Sequence, residues 1–167
     1  LSDSYSIQIT PSLHTLKYSM ERSLDSEVGF VLFVGNPEVG NVSLNDKIFV
    51  PNDLPDAAKE VECLSKLFEA KALLKREARK DVVLQLLGGA SLIHIAAHGE
   101  PTRGEILLAP NCSSGQPYPD VSKPESYLLT QRDIMSVSVK ARLVVLCCCH
   151  TGQVGCCIFW GAGSHKV

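Results

Sequence analysis

Three short stretches constrain the fold more than anything else in this chain: "GFVLFVGNP" (29–37), "SLIHIAA" (91–97) and "RLVVLCC" (142–148). A strand with one face in water alternates apolar and polar residues. A run that stays apolar at nearly every position reads as a strand covered on both faces. Strands of that kind belong to parallel sheets, and parallel neighbours need a crossover, usually helical, between them. The intervening sequence supplies the helices. Pro55 and Asp56 open a periodic helix whose stripe is Ala57, Val61, Leu64, Leu67 and Phe68, and a further helix near 79–87 is stopped by Gly88 and Gly89.

The rest of the chain extends the pattern. "YSIQI" (5–9) reads as a strand, followed by a helix capped by Thr10 with Pro11 at its first turn. "KALLK" reads as a short extended piece, "EILLAP" (105–110) as a further strand, and 111–127, rich in Ser, Pro, Gly and Asn, as an exposed loop. Thr130-x-x-Asp133 has the form of a capping box and predicts a short helix through Ile134 and Met135. Alternating strands and helices predict an α/β sandwich with a mostly parallel sheet. At 167 residues the chain makes one compact domain, expected over 1–153, with 154–167 as its tail.

Charge excludes some partners. With a net charge of -2 there is no electrostatic case for nucleic acid or an acidic membrane surface. No apolar run approaches the roughly 18 to 20 residues that cross a bilayer. The N-terminus has neither a basic start nor an apolar core, so no signal peptide is expected, and its initial Leu suggests a piece cut from a longer chain. Five of seven cysteines sit at 147–149 and 156–157, where vicinal thiols bridge each other poorly. Reduced thiols in a cytoplasmic domain are therefore expected.

In parallel sheets, reactive groups lie at the carboxyl ends of the strands. Strand 91–97 delivers His98 and Gly99 to such an end, and strand 142–148 delivers Cys149, followed by His150-Thr151-Gly152. If the two strands are neighbours, a thiol and an imidazole share one rim, the minimum for nucleophilic catalysis. On spacing alone this is not distinguished from a surface histidine and an inert strand cysteine. A metal centre joining His94, His98, His150 and the cysteines lacks the spaced ligands zinc requires, so neither metal nor cofactor is expected, and His94 reads as a buried strand histidine. "VGNPEVGN" has two glycines after a strand but no phosphate-binding motif. Glu100, Arg103 and Glu105 follow the histidine and read as solvated charges.

"LIHIAAHGEPTRGEILLAP" and, some fifty residues on, "LVVLCCCHTG" resemble the two signatures of the CHAT domain, the caspase-like domain associated with tetratricopeptide repeats. His94, His98 and Gly99 meet its HxxxHG segment, and Leu146, Cys149, Thr151 and Gly152 meet its L-S-A-C-x-T-G segment. "YSIQITPSLHTL", "VGNPEV", "LPDAAKEVECLSKLF" and "YLLTQRDI" resemble further parts of the family in the same order. The resemblance implies a caspase-like three-layer sandwich. Cys149 falls on the nucleophile, His98 on the general base and acid, and the backbone N–H groups of Gly99 and Cys149 on the oxyanion donors. The implied activity is a cysteine endopeptidase on peptide or protein substrates. The alternative is an inactive interaction module of a repeat scaffold in cell division or cytoskeletal organisation, its protein partners recruited by repeats outside this chain.

The sequence departs from the family twice. Cys147 and Cys148 replace Ser and Ala, small for small. After "TG", a Gly-rich loop, a helix and a strand are expected, yet "QVGCCIFWGAGSHKV" is too short for them. The last helix and strand are expected to be incomplete, with 156–160 as a partly unsupported tail.

Overall fold

The computed structural model describes residues 29–44, 47–100, 103–112, 117–118, 122–149 and 157–160. The expected strand at 5–9, the helix after Thr10 and the turn at His150-Thr151-Gly152 lie outside them.

Five strands make the central sheet: β1 (Phe30–Pro37), β4 (Ala72–Lys75), β5 (Ala90–His98), β8 (Leu143–Cys149) and β9 (Cys157–Trp160), in the order β4-β1-β5-β8-β9. The first four are parallel, and β9 runs antiparallel to β8. Residues 157–160, expected to be an unsupported tail, are thus a strand, with Leu143 opposite Trp160 and Leu146 opposite Cys157. β8 would otherwise be the sheet edge, and an apolar segment rich in aromatic and β-branched residues satisfies its open backbone.

Helices cover both faces. α1 (Pro55–Leu67) follows the small hairpin β2 (Val42–Leu44) and β3 (Lys47–Phe49), and α2 (Lys80–Leu87) follows β4. Leu32, Val34, Ile93, Ile95, Ala97 and Cys148 pack with Val83 and Leu87 of α2 on one face. On the other, Phe33 and Ala96 pack with Val61 of α1, flanked by Val31, Leu92 and Cys147. Odd and even positions of one strand thus serve opposite helices, which is why these strands carry no polar face. Each buried Val, Leu, Ile or Phe contributes about 1.5–3 kcal/mol to holding the layers together. The arrangement is an α/β sandwich consistent with the caspase-like fold.

α1 lies close to the sheet because Gly35 has no side chain. A Cβ there would meet Val61 at 2.9 Å and the Ala57 carbonyl at 3.1 Å.

The segment after β5 is less loop-like than its composition. β6 (Ile106–Leu107) pairs antiparallel with β7 (Leu128–Leu129) in a separate two-stranded sheet. The strand expected over 105–110 is reduced to these two residues. α3 (Pro124–Tyr127) ends the stretch read as an exposed loop, and Tyr127 is wholly buried. With Val39, Val42, Leu107 and Leu128 it forms a second, small core, its hydroxyl donating to the Ser43 carbonyl at 2.9 Å.

α4 (Gln131–Met135) starts with the expected capping box: the Thr130 hydroxyl accepts from the Asp133 N–H, and Asp133 accepts from the Thr130 N–H. Asp133 also pairs at 2.8 Å with Lys80, the first residue of α2, which is buried and donates to the Glu125 carbonyl at 3.0 Å. Burial opposes ionisation of Asp133, but Lys80 and the two Thr130 donors outweigh it and hold the carboxyl below the usual range.

Two outcomes follow for folding. Gly35→Ala forces α1 off the sheet and lowers stability by about 1–3 kcal/mol in urea titration, without changing the slope. Because the folded pKa of Asp133 is depressed, its contribution is present above the unfolded value of about 3.9 and lost as pH falls through the folded one. Asp133→Asn should therefore lower stability at pH 7, and the gap to the parent should narrow progressively below about pH 4.

Candidate active site

The strands carrying the two sequence-selected residues are neighbours. β5 and β8 run in unbroken register from Leu92 opposite Leu143 to His98 opposite Cys149. Position 98 and position 149 are therefore Cα partners at the carboxyl end of the central sheet. Backbone pairing alone sets this, through seven consecutive residue pairs without a bulge.

His98 is half-buried, and its Nε2 lies 2.6 Å from the Asn52 carbonyl oxygen. A carbonyl only accepts, so Nε2 carries the proton in this contact. In the neutral ring the lone pair is then on Nδ1. The imidazole is oriented by a backbone group from another part of the chain, which is how a base is commonly held for work on its opposite nitrogen.

Asn36 explains why Asn52 is there. It is 2% exposed at the end of β1, with φ of 47°, a left-handed conformation that Asn tolerates better than most residues. Its Oδ1 accepts from the Leu54 N–H at 3.0 Å, and its Nδ2 donates to Asp53 Oδ1 at 3.1 Å. Asp53 also pairs with Lys75 at the end of β4. The Lys75 hydrogen bond first, then that from Asn36, hold the Asp53 carboxyl below its ordinary range. The loop before α1 is thus tied to the ends of β1 and β4, and Asn52 is presented to His98.

Backbone pairing closes the turn after His98. Gly99 bridges to Ile106, the Glu100 N–H donates to the Glu105 carbonyl at 2.7 Å, and Gly104 adopts φ of 71°. Glu100, read from sequence as a solvated charge, is instead 4% exposed, and its Oε2 accepts from the Arg103 N–H at 2.5 Å. Glu100 stabilises the turn from inside it. Arg103 is exposed, as the sequence suggested.

Deeper in the sheet, His94 is 4% exposed on the α1 face, the buried strand histidine the sequence predicted. Its Nε2 is 3.2 Å from Glu60 Oε1 on α1. Burial pushes its pKa down, and this outweighs the upward pull of Glu60. Cys148 is buried against the α2 side, whereas Cys147 belongs to the α1 side with Sγ 3.8 Å from Glu60 Oε1. The substitutions of Cys at 147 and 148 therefore serve packing on opposite faces. Cys63, Cys112, Cys147 and Cys148 are thiols, with no disulfide among the described residues.

Sequence reasoning missed Asn36, Asn52 and Glu60. Asn36 stood in "GNP", readable as a turn but not as the residue that holds a distant loop. Asn52 acts through its carbonyl, which no side-chain pattern reveals. Glu60 looked like one more charge on the polar side of a helix.

A sandwich with a histidine and a cysteine in register at adjoining strand ends is the setting the two motifs predicted. Residues 1–156 match the CHAT domain, and the chain belongs to that family. Tetratricopeptide repeat protein 28 of Homo sapiens is a relative at 23% identity, covering 87% of this chain but only 7% of the relative. The chain thus spans a small fraction of that protein's length. No solved structure matches it. Among the described residues, no helix is long and apolar enough to cross a membrane.

Asn36 offers a test of how the site is held. Asn36→Ala removes two hydrogen bonds and puts a β-carbon without compensating contacts into a left-handed conformation. It should cost about 2–4 kcal/mol in urea titration, with Asn36→Gly about 1 kcal/mol milder because only the strain is relieved.

Proposed function

We propose that this domain is a caspase-like cysteine endopeptidase in which Cys149 is the nucleophile and His98 the general base and acid. The reading is carried by the Cα pairing of His98 with Cys149, together with the 2.6 Å contact that leaves Nδ1 of His98 as the basic nitrogen. Membership of the CHAT family supports the same assignment of roles.

The chemistry follows from those groups. His98 takes the thiol proton, and the thiolate sulfur of Cys149 attacks the carbonyl carbon of a peptide bond. The backbone N–H groups of Gly99 and Cys149 receive the developing oxyanion, a contribution of several kcal/mol where such donors are pre-oriented. As the C–N bond breaks, His98 returns the proton to the departing amine, leaving a thioester. Water, deprotonated by His98, then cleaves the thioester and regenerates the thiol. The Asn52 carbonyl fixes the imidazole throughout. Free thiols at Cys63, Cys112, Cys147 and Cys148 fit work in the reducing cytoplasm.

A second reading has one observation in its favour. The matched region is 7% of a relative named for its tetratricopeptide repeats, so most of such a protein lies outside the domain. Under that reading the domain binds protein partners of a scaffold in cell division or cytoskeletal organisation, without turnover.

Chemical labelling separates the two. A peptide-like electrophile should modify Cys149 far faster than Cys63 or Cys112, and His98→Ala should slow it by about 100-fold or more. Rates at Cys149 equal to those at other accessible thiols, and indifferent to His98→Ala, would leave the interaction module standing and remove the peptidase.

A further inference from the structure

Glu60, His94 and Cys147 come from three elements, α1, β5 and β8, and take no part in the chemistry proposed above. Their donor atoms, Oε1, Nε2 and Sγ, all lie within 4.8 Å of one another. Nε2 to Oε1 is 3.2 Å and Sγ to Oε1 is 3.8 Å. Bonds of about 2.0–2.3 Å around a tetrahedral zinc ion place donors roughly 3.3–3.8 Å apart. Both separations fall close to that range.

Distances of this size also suit an ion pair, so the surroundings of the His94 ring nitrogen decide between them. His94 Nε2 is fully buried and makes no hydrogen bond, although Glu60 Oε1 lies 3.2 Å away. A buried ring nitrogen left without a partner costs about 1–3 kcal/mol, and such atoms in folded proteins are few and have a cause. A buried imidazole nitrogen with no hydrogen-bond partner is placed as a metal ligand would be.

We propose that Glu60, His94 and Cys147 bind one zinc-class divalent cation, which joins α1 to the two central strands beneath the rim that carries His98 and Cys149. The mixed nitrogen, sulfur and oxygen set selects a borderline ion such as zinc over magnesium or calcium, which take oxygen donors. Binding releases the Cys147 thiol proton to solvent, and the sulfur coordinates as thiolate. Three protein ligands leave a fourth position. The Glu60 side chain is 46% exposed, so water reaches that position from the α1 side. The dispersed ligands, from residues 60, 94 and 147, explain why no spacing rule revealed the site. This inference does not rest on the peptidase reading and survives if Cys149 proves inert.

Cobalt(II) tests it with the intact 167-residue chain, stripped of metal and kept reduced. One equivalent should give a thiolate-to-cobalt charge-transfer band and tetrahedral visible bands, both displaced by zinc. Cys147→Ala should abolish the charge-transfer band, while Cys112→Ala and Cys149→Ala keep it. Glu60→Gln, on a half-exposed helix surface where folding is safe, should keep the band yet weaken cobalt binding at least about tenfold, the low end of what even outer-shell losses cost. The proposal is overturned by absence of the band. It is equally overturned by a band that survives Cys147→Ala, by one that vanishes in Cys149→Ala instead, or by unchanged affinity in Glu60→Gln.

Discussion

The parallel pairing of β5 with β8 is the constraint on which the rest depends. Its seven pairs run without a shift, whereas β1 slips against β5 near Phe30 and against β4 between Gly35 and Pro37. Irregularity is therefore confined to the two pairings that β1 makes. In a strand covered on both faces, a slip of one residue would exchange the sets serving α1 and α2 and place His94 under the wrong helix. The apolar burial that fixes the register also fixes which residues stand opposite each other at the rim.

The second layer of control is polar and sits at the strand ends. Asn36, Asp53 and Lys75 tie the loop before α1 to β1 and β4, and that loop carries the carbonyl facing His98. α1 itself reaches the sheet through the space left by Gly35, which brings Glu60 within reach of His94 and Cys147. One helix, seated by one glycine, thus stands beside both the register pair and the three-donor cluster.

What the sequence made legible follows from the range of the forces involved. β1, β5 and β8 were readable because double burial removes polar residues from a strand, and α4 because a capping box is local. The residue pair at the rim was readable once strand ends could be located. β6 and β7 are two residues each, too short for any periodicity, and owe their pairing to the small core around Tyr127. The burial of Glu100 depends on a turn closed by Gly104. Residues 157–160 form a strand because β8 has a side to offer, which a window of sequence does not contain. The failures concern contacts made across the fold.

Lys80 has a thermodynamic consequence beyond its ion pair. Its ammonium is shared by the first turn of α2, the carbonyl of Glu125 in α3 and the carboxylate that caps α4. Opening any of the three alone would leave a charge without its partners in a place that excludes water, at a cost far above that of a frayed end. Lys80 and Glu125 are 45 positions apart in the chain, yet these helices open together or not at all. Hydrogen exchange would see them as one cooperative unit on the α2 side of the sheet, distinct from the α1 side.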